Sequence, residues 1–90
     1  MKYSVYILRF LNNSLYIGQT NNLDQRIRDH HSKTSRASKF SKENGECKLV
    51  YSEDYPTLLE AMKREKQLKG WTRVKKEALI KRDLEKLKKL

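Results

Sequence analysis

The sequence predicts a small α+β domain built on at least three strands. Three short runs, residues 3 to 10 (YSVYILRF), 15 to 18 (LYIG) and 48 to 52 (KLVYS), are rich in β-branched and aromatic side chains. The segments after residue 21 and after residue 57 instead change to helical spacing, each behind a capping residue. Ninety residues, 37% of them hydrophobic and 36% charged, suffice for one modest core and are too few for separate catalytic and specificity domains. A single domain over residues 1 to 82 with a basic tail at 83 to 90 is therefore expected.

The first two runs read as a β-hairpin with Asn12-Asn13 at its turn. For Tyr6 and Tyr16 to share a face, paired residues must sum to an even number, because side chains alternate faces and direct partners share one. A two-residue Asn12-Asn13 loop pairs 11 with 14 and separates the two phenols. A three-residue loop, Asn12 to Ser14, pairs 11 with 15, brings them together, and puts Asn13 or Ser14 in a bulged turn. Asn21 or Asn22 caps a helix with Leu23 and Ile27 at i,i+4, running to about His31. Residues 32 to 46 are polar and basic, with Phe40 the one large apolar side chain and Asn44-Gly45 a turn signal, and read as a mobile loop. Thr57-Leu58-Leu59-Glu60 matches a capping box, opening a helix to about Lys69 with Gly70 as its C′ residue. Thr72 caps a further helix through Leu79 and Ile80, and DLEKLKKL forms a short basic amphipathic tail.

Lysine and arginine outnumber acids 21 to 11, a net charge of +10, and residues 61 to 90 carry 12 of the cations against 4 acids. Such a field attracts polyanions, so nucleic acid is the leading partner and the C-terminal half its footprint. Cys47 is the only cysteine, which excludes a disulfide framework and points to a reducing cytoplasmic setting, with the thiol as a small buried hydrophobe. The chain opens directly into strand-like sequence, and no apolar run approaches bilayer length, so neither secretion nor membrane insertion is expected.

Glu65 stands out. Leu58, Ala61, Met62 and Leu68 line one side of their helix, and Glu65 falls inside that stripe, whereas Glu60 lies nearly opposite. A buried carboxylate without a partner costs several kcal/mol, so Glu65 needs a cation. Lys69, one turn on, is one candidate and a divalent metal is the other. Arg26 and His30 flank the Leu23/Ile27 stripe at i,i+4, and the planar fork of an arginine suits a phosphate. Trp71, between Lys69 and Arg73, either stacks on an exposed base or packs the next helix on the core, and the packing role is preferred.

In order, these residues read V-Y, Y-I-G, T-N-N-L-x-x-R-x-x-x-H and E-A-x-x-x-E-x-x-x-K-G-W, a set that resembles the GIY-YIG nuclease domain over nearly the whole chain, especially its small stand-alone bacterial form. The resemblance implies an α+β fold with a small three-stranded antiparallel or mixed sheet flanked by helices. It implies phosphodiester hydrolysis in DNA or structured nucleic acid, with Tyr6 activating water, Arg26 on the scissile phosphate, Glu65 binding one Mg²⁺ or Mn²⁺, and Tyr16 and His30 assisting. No organic cofactor is implied. Lys69, Arg73, Lys75, Lys76, Lys81 and Arg82 are the expected nucleic-acid-binding cations. A phenol near pKa 10 is a poor base at neutral pH, so Tyr6 needs a neighbouring cation or a relay through Tyr16 or His30. Ser4 stands where the family motif has Gly, and Gln19 follows Y-I-G where many relatives carry Lys. The alternatives are a nucleic-acid-binding module of the same fold without catalysis and a basic protein-interaction domain.

Overall fold

β1 (Tyr3–Phe10) is the central strand of a three-stranded sheet and carries the most hydrophobic run in the chain, buried from Ser4 to Leu8. That follows from its position: a strand paired on both edges and covered on both faces has little polar surface to offer. β2 (Leu15–Thr20) and β3 (Cys47–Tyr55) flank it, both antiparallel to it. The structure, a computed structural model, describes residues 2–32 and 47–82. The loop expected over 32 to 46 therefore falls, from residue 33 on, outside the described residues, as does the tail at 83 to 90.

The hairpin has the three-residue loop and the even register, but one residue earlier than the sequence suggests. Phe10 and Ser14 bracket it, with the Phe10 amide donating to the Ser14 carbonyl at 3.0 Å and the Asn13 amide to the Phe10 carbonyl at 2.8 Å. Asn13 takes the left-handed conformation at φ 69°, which asparagine tolerates better than most residues. Its side chain accepts from Arg9 at 2.7 Å, and Asn12 Oδ1 accepts from the Ser14 amide at 3.0 Å, so both asparagines are spent on the turn. The paired residues consequently sum to 24, placing Tyr6 opposite Gly18 and Tyr16 opposite Leu8.

β3 is longer than expected, continuing through Glu53, Asp54 and Tyr55. A bulge at Val50, between the pairs Ile7–Tyr51 and Leu8–Leu49, reverses the side-chain alternation and lets Cys47 pack beside Phe10. The acids that make the segment read as loop are each held by partners. Glu53 accepts from Tyr51 at 2.6 Å, Tyr55 at 2.8 Å and Arg64 at 2.6 Å, and Asp54 accepts from Ser4 at 2.7 Å.

Three helices cover the sheet. α1 (Leu23–Ser32) is capped by Asn22, whose Oδ1 accepts from the Gln25 amide at 3.2 Å. Leu23 and Ile27 pack on Tyr6, Leu8, Phe10 and Cys47. α2 (Leu58–Lys69) starts at Thr57, which accepts from the Glu60 amide at 3.3 Å, and α3 (Arg73–Ile80) starts at Thr72 in the same way. Ala61, Leu68 and Leu79 from these two helices close on Val5, Ile7 and Ile17 across the opposite sheet face.

Two expectations for α2 change. Gly70 is right-handed at φ −82°, so the helix ends without a left-handed glycine, and the chain turns directly into Trp71. Leu58 and Met62 of the expected apolar stripe are exposed, together with Leu59, because only Ala61 and Leu68 of this helix reach the fully buried core. Trp71 does pack against that core, with Arg64 5.1 Å and Lys75 4.3 Å from its ring centroid.

Candidate active site

The face of the sheet covered by α1 carries both tyrosines. Tyr6 is buried at the centre of β1, and Tyr16 lies diagonally across from it on β2, the ring centroids 6.4 Å apart and the planes tilted by 38°. Gly18, directly opposite Tyr6, makes this possible. A Cβ at position 18 would sit 2.5 Å from the Tyr6 hydroxyl oxygen and 3.1 Å from the Tyr16 ring, so only glycine lets the Tyr6 phenol lie over β2. The sequence showed Gly18 as part of a motif without showing its role. Strand alternation with an even register is the signal that could have found it.

Arg26 comes from the second turn of α1, positioned by the Asn22 cap and by its own amide donating to the Asn22 carbonyl at 3.0 Å. Its guanidinium is within hydrogen-bonding reach of both phenols. Burial opposes the charge on Arg26, but the hydrogen bonds and Coulombic contacts with Tyr6 and Tyr16 outweigh it and shift its pKa upward. Tyr6 therefore has the cation that the sequence argument demands, yet its pKa is pushed up to about 12. Burial is the dominant cause, the hydrogen bond with Arg26 opposes it, and Tyr16 and Glu65 add to the rise. The phenol of the free protein is thus a donor at neutral pH, with its oxygen held by Arg26.

Glu65 on α2 lies close enough to act electrostatically on Tyr6, although α2 packs mainly on the other sheet face. Its carboxylate is largely buried, 22% exposed, and pairs with Lys69 at 3.0 Å, the i,i+4 partner expected from sequence. Lys69 is itself 55% exposed, so it can swing into water and release the carboxylate at little cost. No group of three or more His, Cys, Asp or Glu that could hold a metal ion exists among the described residues. Glu65 alone fits a hard divalent ion of the Mg²⁺ type, which keeps several waters and takes further oxygens from a substrate phosphate. It does not fit a closed zinc cage. The expected contribution of His30 lies outside the described side chains, though its backbone belongs to α1.

The family model for the GIY-YIG catalytic domain matches residues 2–78. The chain belongs to the GIY-YIG family. Among similar proteins, a UPF0213 protein of Clostridium perfringens is 42% identical over 76 residues, covering 84% of this chain and 80% of the relative. One from Staphylococcus haemolyticus is 37% identical over 79 residues, covering 88% and 94%. The solution NMR structure of a UPF0213 protein from Bacillus halodurans superposes with a TM-score of 0.58 at 36% identity, covering 90% of this chain and 84% of that one. The three-stranded antiparallel sheet with its helices is thus the GIY-YIG arrangement, whose catalytic domains act on nucleic acid and generally use divalent metals. Ser4, the departure from the family motif, is buried and donates to Asp54, a bond that glycine could not make. Gln19, the other departure, pairs with Val5 and faces the α2 side, away from the phenols.

The basic residues of this GIY-YIG domain have unequal freedom. Arg73 bonds Glu77 and the Asn13 carbonyl, and Glu77 is also clamped by the two terminal guanidinium nitrogens of Arg9. Lys75 lies on Trp71, Arg82 lies 5.5 Å over Tyr51, and Lys69 holds Glu65. Lys76 and Lys81 make no ion pair among the described residues. No helix among the described residues is long and apolar enough to cross a membrane.

Proposed function

We propose that the protein is a metal-dependent endonuclease that hydrolyses phosphodiester bonds in DNA or structured nucleic acid with weak sequence specificity. The observation that carries this reading is the convergence of two phenols and a guanidinium on one sheet face, with a largely buried carboxylate in electrostatic reach. Arg26 binds a non-bridging oxygen of the scissile phosphate, where its fork meets the charge that grows in the transition state. When a phosphate takes up Arg26, the Tyr6 oxygen is freed to accept a hydrogen bond from the attacking water. Tyr16 holds the rim of the site, and His30 assists on the same helix as Arg26. Glu65 holds Mg²⁺ or Mn²⁺, and the bound ion supplies Lewis-acid stabilisation of phosphate charge and lowers the pKa of nearby hydroxyl groups. Lys69, Arg73, Lys75, Lys76, Lys81 and Arg82 attract the nucleic-acid backbone. The lone thiol of Cys47, buried in the core, suits a reducing cytoplasmic setting.

The test is incubation with duplex, flap, branched and single-stranded substrates, with Mg²⁺ or Mn²⁺ and with chelator. Nicking only with the divalent ion supports the endonuclease. A second reading, a binding module of the same fold, is favoured by one observation: Lys69 already satisfies Glu65 at 3.0 Å. Binding equally well in chelator, with no cleavage of any substrate, selects that reading.

A further inference from the structure

The sheet face that carries Tyr6 continues into a second, polar cleft. In register, Tyr6 is flanked by Gly18 and Ser52, and two residues back along β1, about 7 Å away, Ser4 is flanked by Thr20 and Asp54. Direct partners share a face, so Ser52 and Asp54 lie on the same side as the phenol. The first turn of α1 forms the facing wall, and the cleft is lined by Lys2, Ser4, Asn22, Asp24, Ser52 and Asp54.

Asp54 is the oriented group within it. The buried Ser4 hydroxyl donates to Oδ1 at 2.7 Å, Lys2 lies 3.2 Å from Oδ2, and the Asp54 side chain is still 48% exposed. The hydrogen bond from Ser4, and then Lys2, hold the carboxyl below its usual range, so it is an ionised acceptor at neutral pH. Two carboxylates, Asp24 and Asp54, against the one exposed lysine, Lys2, make the cleft a poor phosphate site. The phosphate is better served by Arg26, and the cleft by a neutral group that offers N–H donors.

We propose that this cleft takes the unpaired nucleobase adjoining the scissile phosphate and selects one bearing an exocyclic amino group, cytosine over thymine, with Asp54 accepting its N–H. Cytosine offers an N4 donor where thymine offers the O4 acceptor, and a carboxylate accepts from the first and repels the second. The placement beside the scissile phosphate rests on the nuclease reading, whereas the base preference is a property of binding alone. It is a preference at one nucleotide, compatible with weak sequence specificity.

The test is anisotropy titration of the whole protein with labelled oligodeoxycytidylate and oligothymidylate of equal length, in chelator, followed by cleavage of the same strands with Mn²⁺. The wild type should bind the cytosine strand about three- to tenfold more tightly, the discrimination of one charge-assisted hydrogen bond. Asp54→Asn should erase or reverse the preference, and Ser4→Ala should reduce it. Free deoxycytidine added to the wild type should shift the amide resonances of Ser4, Ser52 and Asp54, and thymidine should not, a readout that does not depend on a variant folding. No preference in the wild type, or an unchanged one in a folded Asp54→Asn, overturns the assignment whether or not the strands are cut. A cytosine preference without metal-dependent cleavage keeps the cleft and removes the nuclease.

Discussion

At position 18 a single methyl group decides whether the Tyr6 phenol can lie over β2. Its Cβ would meet the Tyr6 hydroxyl at 2.5 Å, so Gly18→Ala should displace the phenol, cost about 1 to 3 kcal/mol of stability as an overpacking change, and lower cleavage by more than its loss of folded protein explains. Thermal melting and single-turnover cleavage of the same variant separate the two effects. Tyr6 makes a second prediction. With its pKa pushed up to about 12, the phenol is protonated through the neutral range, so a rate that needs the phenolate should rise about tenfold per pH unit between pH 7 and 9. Tyr6→Phe should remove that slope. A flat profile in the wild type would mean that Tyr6 only positions the water. The candidates Tyr6, Tyr16, Arg26 and Glu65 could be named from the sequence because an ordered set of motifs contains them; by itself only Glu65, inside an apolar helix stripe, is out of place. Gly18 and Asp54 were not legible in this way, since their meaning depends on what stands opposite them across the sheet.

At the scale of elements, the even hairpin register followed from requiring both phenols on one face. Its absolute value was off by two because Leu11, expected to pair with Leu15 at the mouth of the loop, is 81% exposed and belongs to the loop itself. The end of β3 was missed for a related reason: Glu53 and Asp54 look like loop residues until Tyr51, Tyr55, Arg64 and Ser4 are seen to hold them. The helices were better read, since the caps at Asn22, Thr57 and Thr72 are local signals that tertiary contacts leave unchanged. The junction of β1 with α3 depends on Glu77, which Arg9 and Arg73 both contact. The Arg9 hydrogen bond, opposed by desolvation and helped by Arg73, holds the Glu77 carboxyl at about 2. A depressed carboxylate pKa contributes stability that is present above the unfolded value near 4.5 and lost as the pH falls through the folded value near 2. Glu77→Gln should therefore cost about 1 to 2 kcal/mol at neutral pH and flatten the acid limb of stability between those values. Denaturant unfolding at a series of pH values checks it.

For the molecule as a whole, a +10 charge favours polyanions in general and says nothing of chemistry, so binding and cleavage must be separated by mutation. Lys76 and Lys81, which make no ion pair among the described residues, should each reduce the salt slope of DNA binding by about 0.9 log units per lost phosphate contact when neutralised, with little effect on cleavage at saturation. Arg73→Ala should instead destabilise the fold, because its guanidinium joins Glu77 to the hairpin turn. The total charge and its C-terminal bias were visible in the sequence, whereas the division between structural and free cations was not, since it depends on partners as distant as Arg9 and Asn13. Cleavage of duplex, flap, branched and single-stranded substrates by the wild type, Glu65→Gln and Arg26→Ala, with Mn²⁺ and with chelator, is the most direct measurement. The wild type should cut only with Mn²⁺, Glu65→Gln should lose that cleavage while melting at an equal or higher temperature, and Arg26→Ala should fall by about 10²- to 10³-fold with affinity nearly kept. Cleavage by Glu65→Gln at the wild-type rate, or none by the wild type on any substrate, would contradict the nuclease.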